Sequence, residues 1–315
     1  MIDTIVVVTR KTQLEELVLR LNSRAQARFY LEQNGVSFTD YEQADSRYHQ
    51  SVEMVLRRLP RGVKRQVIDR DMLPTYQFGT RDLVLTIGPD GLVINTAKYL
   101  ASQPILAVNP DPSRIDGVLI PFGVAEAGEW VARVLEGKAH VSRLAMARAT
   151  LNDGQTMDAV NDLFIGARTH VSARYSLELA GRREDQISSG IIVSTGAGCT
   201  GWMRSVATGA WQVARHFVEL EGEPPGPAQL ALGWEAERLW FAVREPFVSK
   251  ISQANQVFGQ IVAGEELVIT SRMADYGVIF SDGIESDHLA FNTGLIARIG
   301  VADRRVHLVA RELSE

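Results

Sequence analysis

Two glycine turns and one polar pair carry most of the chemistry this sequence can offer. The first turn, Gly88-Pro89-Asp90-Gly91, follows the apolar run Leu83, Val84, Leu85 and Ile87 and precedes an apolar, helix-like stretch. A buried strand, a glycine-flanked turn and a helix start make a phosphate site, because the first amides of a helix lack intrahelical partners and its dipole favours an anion. Asp90 is the only carboxylate in that turn. The same four residues are also ordinary β-turn chemistry. The second turn, Thr195-Gly196-Ala197-Gly198, leads into residues 200–217, where Met203, Val206, Ala207, Ala210, Ala214 and Phe217 recur at helical spacing. Residues 196–201 fit G-x-G-x-x-G, with Glu219 or Glu221 at a suitable distance for a ribose contact. That fingerprint needs a βαβ unit, however, and this turn sits among short strand-like runs. The polar pair is Asn161-Asp162. Phosphoryl transfer needs a base near the accepting hydroxyl and N–H groups around the phosphates, and these parts can supply both.

Competing chemistries find less support. The six histidines are scattered, with no H-E-x-x-H and no pair of histidines at helical ligand spacing, so no metal site is expected. Cys199, the single cysteine, excludes an internal disulfide and reads as a small buried thiol. Neither a G-x-S-x-G elbow nor a Walker loop is present, which argues against serine hydrolases and P-loop kinases.

Positioning these residues requires an α/β frame. Residues 5–8 predict a first buried strand, then one long helix with Leu14, Leu17, Val18, Leu21 and Ala25 on a face and a stop at Gly35. Val52, Val55, Leu56 and Leu59 predict a helix ended by Pro60. Arg57, Arg58, Arg61, Lys64 and Arg65 surround that end as a dipole-complementing face. Residues 104–109 give another strand, residues 118–121 continue extended, and Trp130, Val134 and Leu135 mark a short helix closed by Gly137. Strands alternating with helices predict a parallel sheet with ligands at the carboxyl ends of its strands. From about Ser142 the runs 175–179, 191–194, 229–232, 239–243, 267–270 and 278–280 predict a mainly β second domain, and residues 223–227 a loop within it.

The bulk properties agree with a globular chain. Its 315 residues, 45% hydrophobic and 23% charged, can bury a full core, and the net charge of -5 gives no reason to expect nucleic acid or an anionic membrane as partner. The first residues enter a strand directly, without a leader pattern, and no apolar run approaches spanning length, so a cytoplasmic protein is expected.

Taken in order, these segments resemble the NAD kinase family, most closely its mitochondrial-type branch. GPDG at 88–91 is similar to the family's GGDG motif, and PILAVNPDPSRIDG at 104–117 to the segment that follows it. AVNDLFIG at 159–166 resembles the Asn-Glu motif, and SSGIIVSTGAGCTGW at 188–202 the glycine-rich motif. VREPF at 243–247 and SDG at 281–283 stand behind them in family order. The resemblance implies an α/β domain over residues 1–120, to which the tail from about 295 returns, and a β-rich NAD-binding domain over 121–294, with NAD held between the two. It implies Asp90 as the base for the adenosine ribose 2′-hydroxyl, Gly88 and Gly91 in the phosphate loop, and Gly91 against the dinucleotide. Asn161 and Asp162 would hold the adenosine portion, and Thr200, Gly201, Trp202 and Ser205 the rest of NAD. ATP with Mg2+ and a homodimer or homotetramer are also implied. The sequence departs from the pattern at Pro89, which lacks an N–H, at Leu92 in place of a threonine, at Asp162 in place of glutamate, and at Ala197 and Cys199 in place of hydroxyl residues. Two further expectations therefore stand beside an NAD kinase: a slow or silent NAD(P)-binding regulator, and a kinase of this fold acting on a sugar or lipid hydroxyl.

Overall fold

The structure, a computed structural model, describes residues 2–218 and 227–311. It divides into two compact units, one running to Ser142 and taking up the chain again from His307, the other spanning Arg143–Val306.

The first unit is built on a parallel sheet. Strands β1 (Thr4–Thr9), β2 (Lys64–Asp69), β3 (Asp82–Ile87) and β4 (Pro104–Asn109) stand in the order β2-β1-β3-β4. Every pairing among them is parallel, as are those of β4 with the short β5 (Phe122–Gly123) and with His307 and Leu308. All six residues of β3 are buried, as expected of a central parallel strand, whose faces are both covered by helices. One face packs against α3 (Phe38–Arg58) and α5 (Ala127–Leu135), where Tyr48, Val55, Trp130 and Val131 meet Ile5, Leu83, Leu85 and Leu106. The helix α4 (Asp90–Ala97) follows β3.

Three details differ from the sequence reading. The long first helix is two helices, α1 (Gln13–Leu21) and α2 (Arg24–Gln33), because Asn22 adopts the left-handed conformation (φ 63°) and the Ser23 side chain caps the second. β2 lies inside the basic run and has four exposed residues in succession, so hydrophobicity could not reveal it. Arg65 in that strand donates to the Leu56 carbonyl in the last turn of α3, 2.9 Å away, as a dipole-complementing cation should. The division between units falls at Ser142 rather than near residue 120, since α5 buries Trp130, Val131 and Val134 in the core of the first unit.

The second unit is mainly β. Strands β6 (Val141–Leu151), β7 (Thr156–Ala159), β9 (Ala173–Leu179), β10 (Arg182–Ser188), β14 (Leu267–Ser271) and β17 (Ile296–Val309) contribute to one sheet. The other has the order β13-β12-β11-β8-β15-β16: Phe258–Val262, Arg238–Val243, Ile191–Ser194, Asp162–Ala167, Gly277–Ser281 and His288–Ala290. The unit's core contains Tyr175, Leu177, Ile269 and Ile299 from the first and Leu163, Ile165, Val193, Phe241 and Ile279 from the second. The β9, β11, β12, β14 and β15 runs were legible in sequence. The run at 229–232 was not a strand: a short helix, α7 (Pro227–Leu230), ends within it. The expected helix after the second glycine turn is α6 (Trp202–Phe217), but of its periodic apolar residues only Met203 is buried, and Phe217 is 79% exposed. Residues 219–226, with Glu219, Glu221 and most of the expected 223–227 loop, lie outside the described residues.

Candidate active site

The connections of the first unit create a ligand position. β1 connects to β2 on one side and β3 to β4 on the other, so the chain diverges at the carboxyl ends of β1 and β3, where open α/β sheets bind ligands. A cavity of about 430 Å³ lies there, lined by Arg10, Asp45, Tyr48, Gly88, Pro89 and Arg114 among others, a size suited to a small molecule. Tyr48 joins the two strand ends: its hydroxyl donates to the Ile87 carbonyl at 3.0 Å and accepts the Arg10 N–H at 2.9 Å. Burial pushes its phenol up to about 12. Tyr48→Phe is expected to cost about 1–3 kcal/mol, the penalty of leaving buried backbone groups unpaired, measurable by chemical denaturation.

Asp90 opens α4, with Pro89 as its N-cap. Its carboxylate accepts the Val118 N–H on Oδ2 and the Leu119 N–H on Oδ1, each at 2.9 Å. A carboxylate has about four acceptor positions, so these two bonds fix its orientation and leave each oxygen a further acceptor position. The segment that presents those amides is shaped by Gly117 (φ 55°), where a Cβ would come within 2.1 Å of Ile120. Asn109 organises the approach, donating to the Ile115 carbonyl and accepting the Asp111 N–H. Asp111 is engaged with Ser113 and Arg47, and the Ser113 hydroxyl is the main reason its carboxyl is held below the usual range. The sequence reading did not connect residues 117–119 with Asp90.

Glu15, Asp45 and His49 form a group missed in sequence, with one ligand atom each within 4.8 Å of the others. His49 Nε2 lies 3.3 Å from Glu15 and 3.6 Å from Asp45, so contacts among the three side chains account for the group. The signal was present: Asp45 and His49 stand four apart on a helix, a spacing that a search for histidine pairs passes over.

The second glycine turn is not an open phosphate cradle. The Thr195 hydroxyl accepts the Ala197 and Gly198 N–H groups, the Thr195 carbonyl accepts that of Cys199, and the Gly198 carbonyl that of Gly201. The glycines serve close packing instead: a Cβ on Gly196 would stand 2.3 Å from the Gly233 carbonyl oxygen, and one on Gly198 2.3 Å from that of Asn161. β11 is antiparallel to both its neighbours, so the βαβ unit that a dinucleotide fingerprint requires is absent. Cys199 is buried, its thiol on the Gly196 carbonyl, as expected of a structural cysteine.

Asn161 and Asp162 lie beside this turn. The Asn161 carbonyl accepts the Thr195 N–H, and Asp162 accepts the Ser194 hydroxyl. Among the described residues the Asn161 Oδ1 is one of the few buried side-chain polar atoms without a hydrogen-bond partner. Burial, opposed by the Ser194 hydroxyl and reinforced by the charge of Asp282, pushes the Asp162 carboxyl up to about 7. An unfolded aspartate titrates near 3.8, so between about 4 and 7 the folded state binds the extra proton and stability falls as pH rises. Asp162→Asn is expected to flatten that part of the profile, read as Tm against pH.

Thr200, Gly201 and Ser205 are exposed at the start of α6, whereas Trp202 is half-buried. The Trp202 ring stacks on Phe164 (centroids 5.8 Å apart, planes 8° apart) with the Arg244 guanidinium 5.5 Å from its centre. Both rings line a second cavity of about 390 Å³ with Arg168, Arg244, Phe280 and His288.

Comparison with known proteins gives the fold. No family model matches the chain. An NAD kinase from Prosthecochloris aestuarii (strain DSM 271 / SK 413) is 30% identical over 134 residues, 39% of this chain and 44% of that protein, so the match spans less than half of the relative. The NAD kinase from Archaeoglobus fulgidus, solved in complex with ATP, aligns over 98% of this chain and 94% of its own with a TM-score of 0.58 at 14% identity. Yeast NADH kinase, solved with NADH, aligns over 99% of this chain and 84% of its own with a TM-score of 0.60, also at 14% identity. The chain has the fold of these NAD kinases.

Proposed function

We propose that this protein is an NAD kinase, transferring the γ-phosphoryl group of ATP to the adenosine ribose 2′-hydroxyl of NAD to give NADP. The observation that carries the reading is the Asp90 carboxylate, held by two backbone amides at the switch-point turn of this fold. In the reaction the 2′-hydroxyl proton passes to Asp90 as the 2′-oxygen attacks the γ-phosphorus, the bond to the β-phosphate bridging oxygen breaks, and ADP leaves. The first cavity suits the nucleotide triphosphate, with Arg10 and Arg114 as phosphate partners, Gly88 in its wall and Gly91 following in the first turn of α4. Asn161 and Asp162 take the adenosine portion, the unpartnered Asn161 Oδ1 accepting a ligand N–H or O–H. Thr200, Gly201, Trp202 and Ser205 take the remainder of the dinucleotide.

Magnesium would supply charge neutralisation on the phosphates. Among the described residues the one cluster of possible ligands, Glu15, Asp45 and His49, contains an imidazole, a poor match for a hard cation. The ion enters, on this reading, with ATP. We assign the protein to a homodimer or homotetramer and to the mitochondrial-type branch on the sequence resemblance, and keep the cytoplasmic location that the sequence leads us to expect. Among the described residues no helix is long and apolar enough to cross a membrane.

A second reading has its own support. Pro89 offers no N–H, the Leu92 N–H is used by the Pro89 carbonyl, and in the second turn the Ala197 and Gly198 N–H groups are used by the Thr195 hydroxyl and the Thr195 N–H by the Asn161 carbonyl, so few donors remain for a transferring phosphate. A slow or silent NAD(P)-binding regulator follows from that shortage. An assay of NADP formation from ATP, Mg2+ and NAD separates the two: turnover supports the kinase, and nucleotide binding without turnover supports the regulator. Phosphorylation of a sugar or diacylglycerol in preference to NAD or NADH would replace both.

A further inference from the structure

The turn after β15 holds a residue whose carboxylate faces the Asn161-Asp162 pair from behind. Asp282 accepts three successive backbone N–H groups: Val160 at 3.2 Å on Oδ2, and Asn161 at 2.7 Å and Asp162 at 3.2 Å on Oδ1. In return its own N–H donates to the Asp162 carbonyl at 2.8 Å. These contacts bridge more than a hundred residues of sequence. Asp282 holds a left-handed backbone conformation (φ 56°), followed by Gly283 at φ 73°, which aims the side chain back across the end of β8. On the other side the pair is fixed by Thr195, whose N–H reaches the Asn161 carbonyl and whose hydroxyl reaches the Val160 carbonyl at 2.5 Å. With its backbone secured on both sides, the peptide leaves the Asn161 amide oxygen as the buried acceptor without a partner.

We propose that Asp282 is the positioning residue of the dinucleotide site: by clamping the amides of Val160, Asn161 and Asp162 it aims the Asn161 amide and the Asp162 carboxyl at the ligand. This deepens the NAD kinase reading and rests on it. Asp282 acts through its neighbours, so its loss affects substrate affinity before it affects the chemical step. A charged acceptor shared by three amides is a stronger constraint than neutral turn hydrogen bonds. It also acts on Asp162 directly, since its charge is one of the causes that raise that carboxyl.

The test compares wild type with Asp282→Ala and the near-isosteric Asp282→Asn in the full chain. Without nucleotide, hydrogen exchange at the amides of residues 160–162 is expected to accelerate at least about tenfold in Asp282→Ala. The Asp162 carboxyl, followed by 13C NMR, is expected to titrate at lower pH in both variants, because a negative neighbour is gone. NADH affinity, followed by fluorescence, is expected to weaken by about tenfold or more, with KM for NAD rising while kcat changes less. If Asp282→Ala does not fold, Asp282→Asn carries the same comparison. Unchanged exchange and titration in a folded variant would overturn the clamp, and accelerated exchange with unchanged nucleotide affinity would overturn its positioning role. Failure of wild type to bind NAD or NADH would instead count against the kinase reading, and the nucleotide-free measurements distinguish the two.

Discussion

Asp90→Asn is expected to lower the rate of NADP formation by about 10²–10⁴-fold, the range typical of losing a positioned general base. Asparagine preserves the shape and one acceptor oxygen but cannot take the 2′-hydroxyl proton. It also turns an NH2 group towards one of the two amides that Asp90 now accepts, Val118 on Oδ2 or Leu119 on Oδ1. A bond to a charged acceptor is therefore lost, costing about 1.5–3 kcal/mol of local stability, so Tm must be measured beside kcat. The base assignment predicts that kcat falls far more than the stability change explains, while KM for NAD moves little. Turnover retained at the wild-type level would remove Asp90 from the chemistry.

The second large effect lies in the other unit. Gly198→Ala places a Cβ 2.3 Å from the Asn161 carbonyl oxygen and 2.6 Å from its carbon, both backbone atoms that no rotamer change can move. Relief requires the Asn161-Asp162 peptide to shift against its bonds to Thr195 and Asp282. Overpacking of this kind costs about 1–3 kcal/mol, several degrees in Tm for a unit of this size. Because the displaced peptide carries the Asn161 acceptor, NAD affinity is expected to weaken along with stability. Gly209→Ala on the exposed side of α6, with nothing within 4 Å of an added Cβ, is the matched control: it should leave affinity unchanged and not lower Tm, since alanine favours the helix by about 0.5–1 kcal/mol. Unaltered Tm and affinity in Gly198→Ala would mean that the close approach does not constrain the pair.

The parallel half of the fold was legible where both faces of a strand are covered. β1, β3 and β4 read as apolar runs, that of β3 interrupted only by Thr86, and their helices carry a period that locates the buried face. β2 was hidden by its exposed basic residues, and the break between α1 and α2 depended on one left-handed asparagine that periodicity does not register. In the second unit short apolar strands such as β11 were visible, whereas β17 carries charged residues along its 14 positions and shows no apolar run.

The candidate site was legible as residue types but not as bonding. The sequence offered two similar glycine turns. The donors separate them, since the Ala197 and Gly198 N–H groups of the second are used by the Thr195 hydroxyl while Asp90 stands at the start of α4, next to Pro89 in the wall of a cavity. Val118 and Leu119, which hold Asp90, and Asp282, which holds Asn161-Asp162, act through backbone contacts between distant segments. No spacing rule finds such pairs. The SDG segment was noted only for its place in the order of motifs, although aspartate before glycine is a common signal for the left-handed turn that aims Asp282.

A crystal of the protein soaked with NAD tests whether Asp90 takes the proton from the 2′-hydroxyl of the dinucleotide. The adenosine ribose 2′-oxygen is expected about 2.6–3.2 Å from an Asp90 carboxylate oxygen. Dinucleotide bound with that oxygen out of reach of Asp90, and another carboxylate or no base beside it, would contradict it.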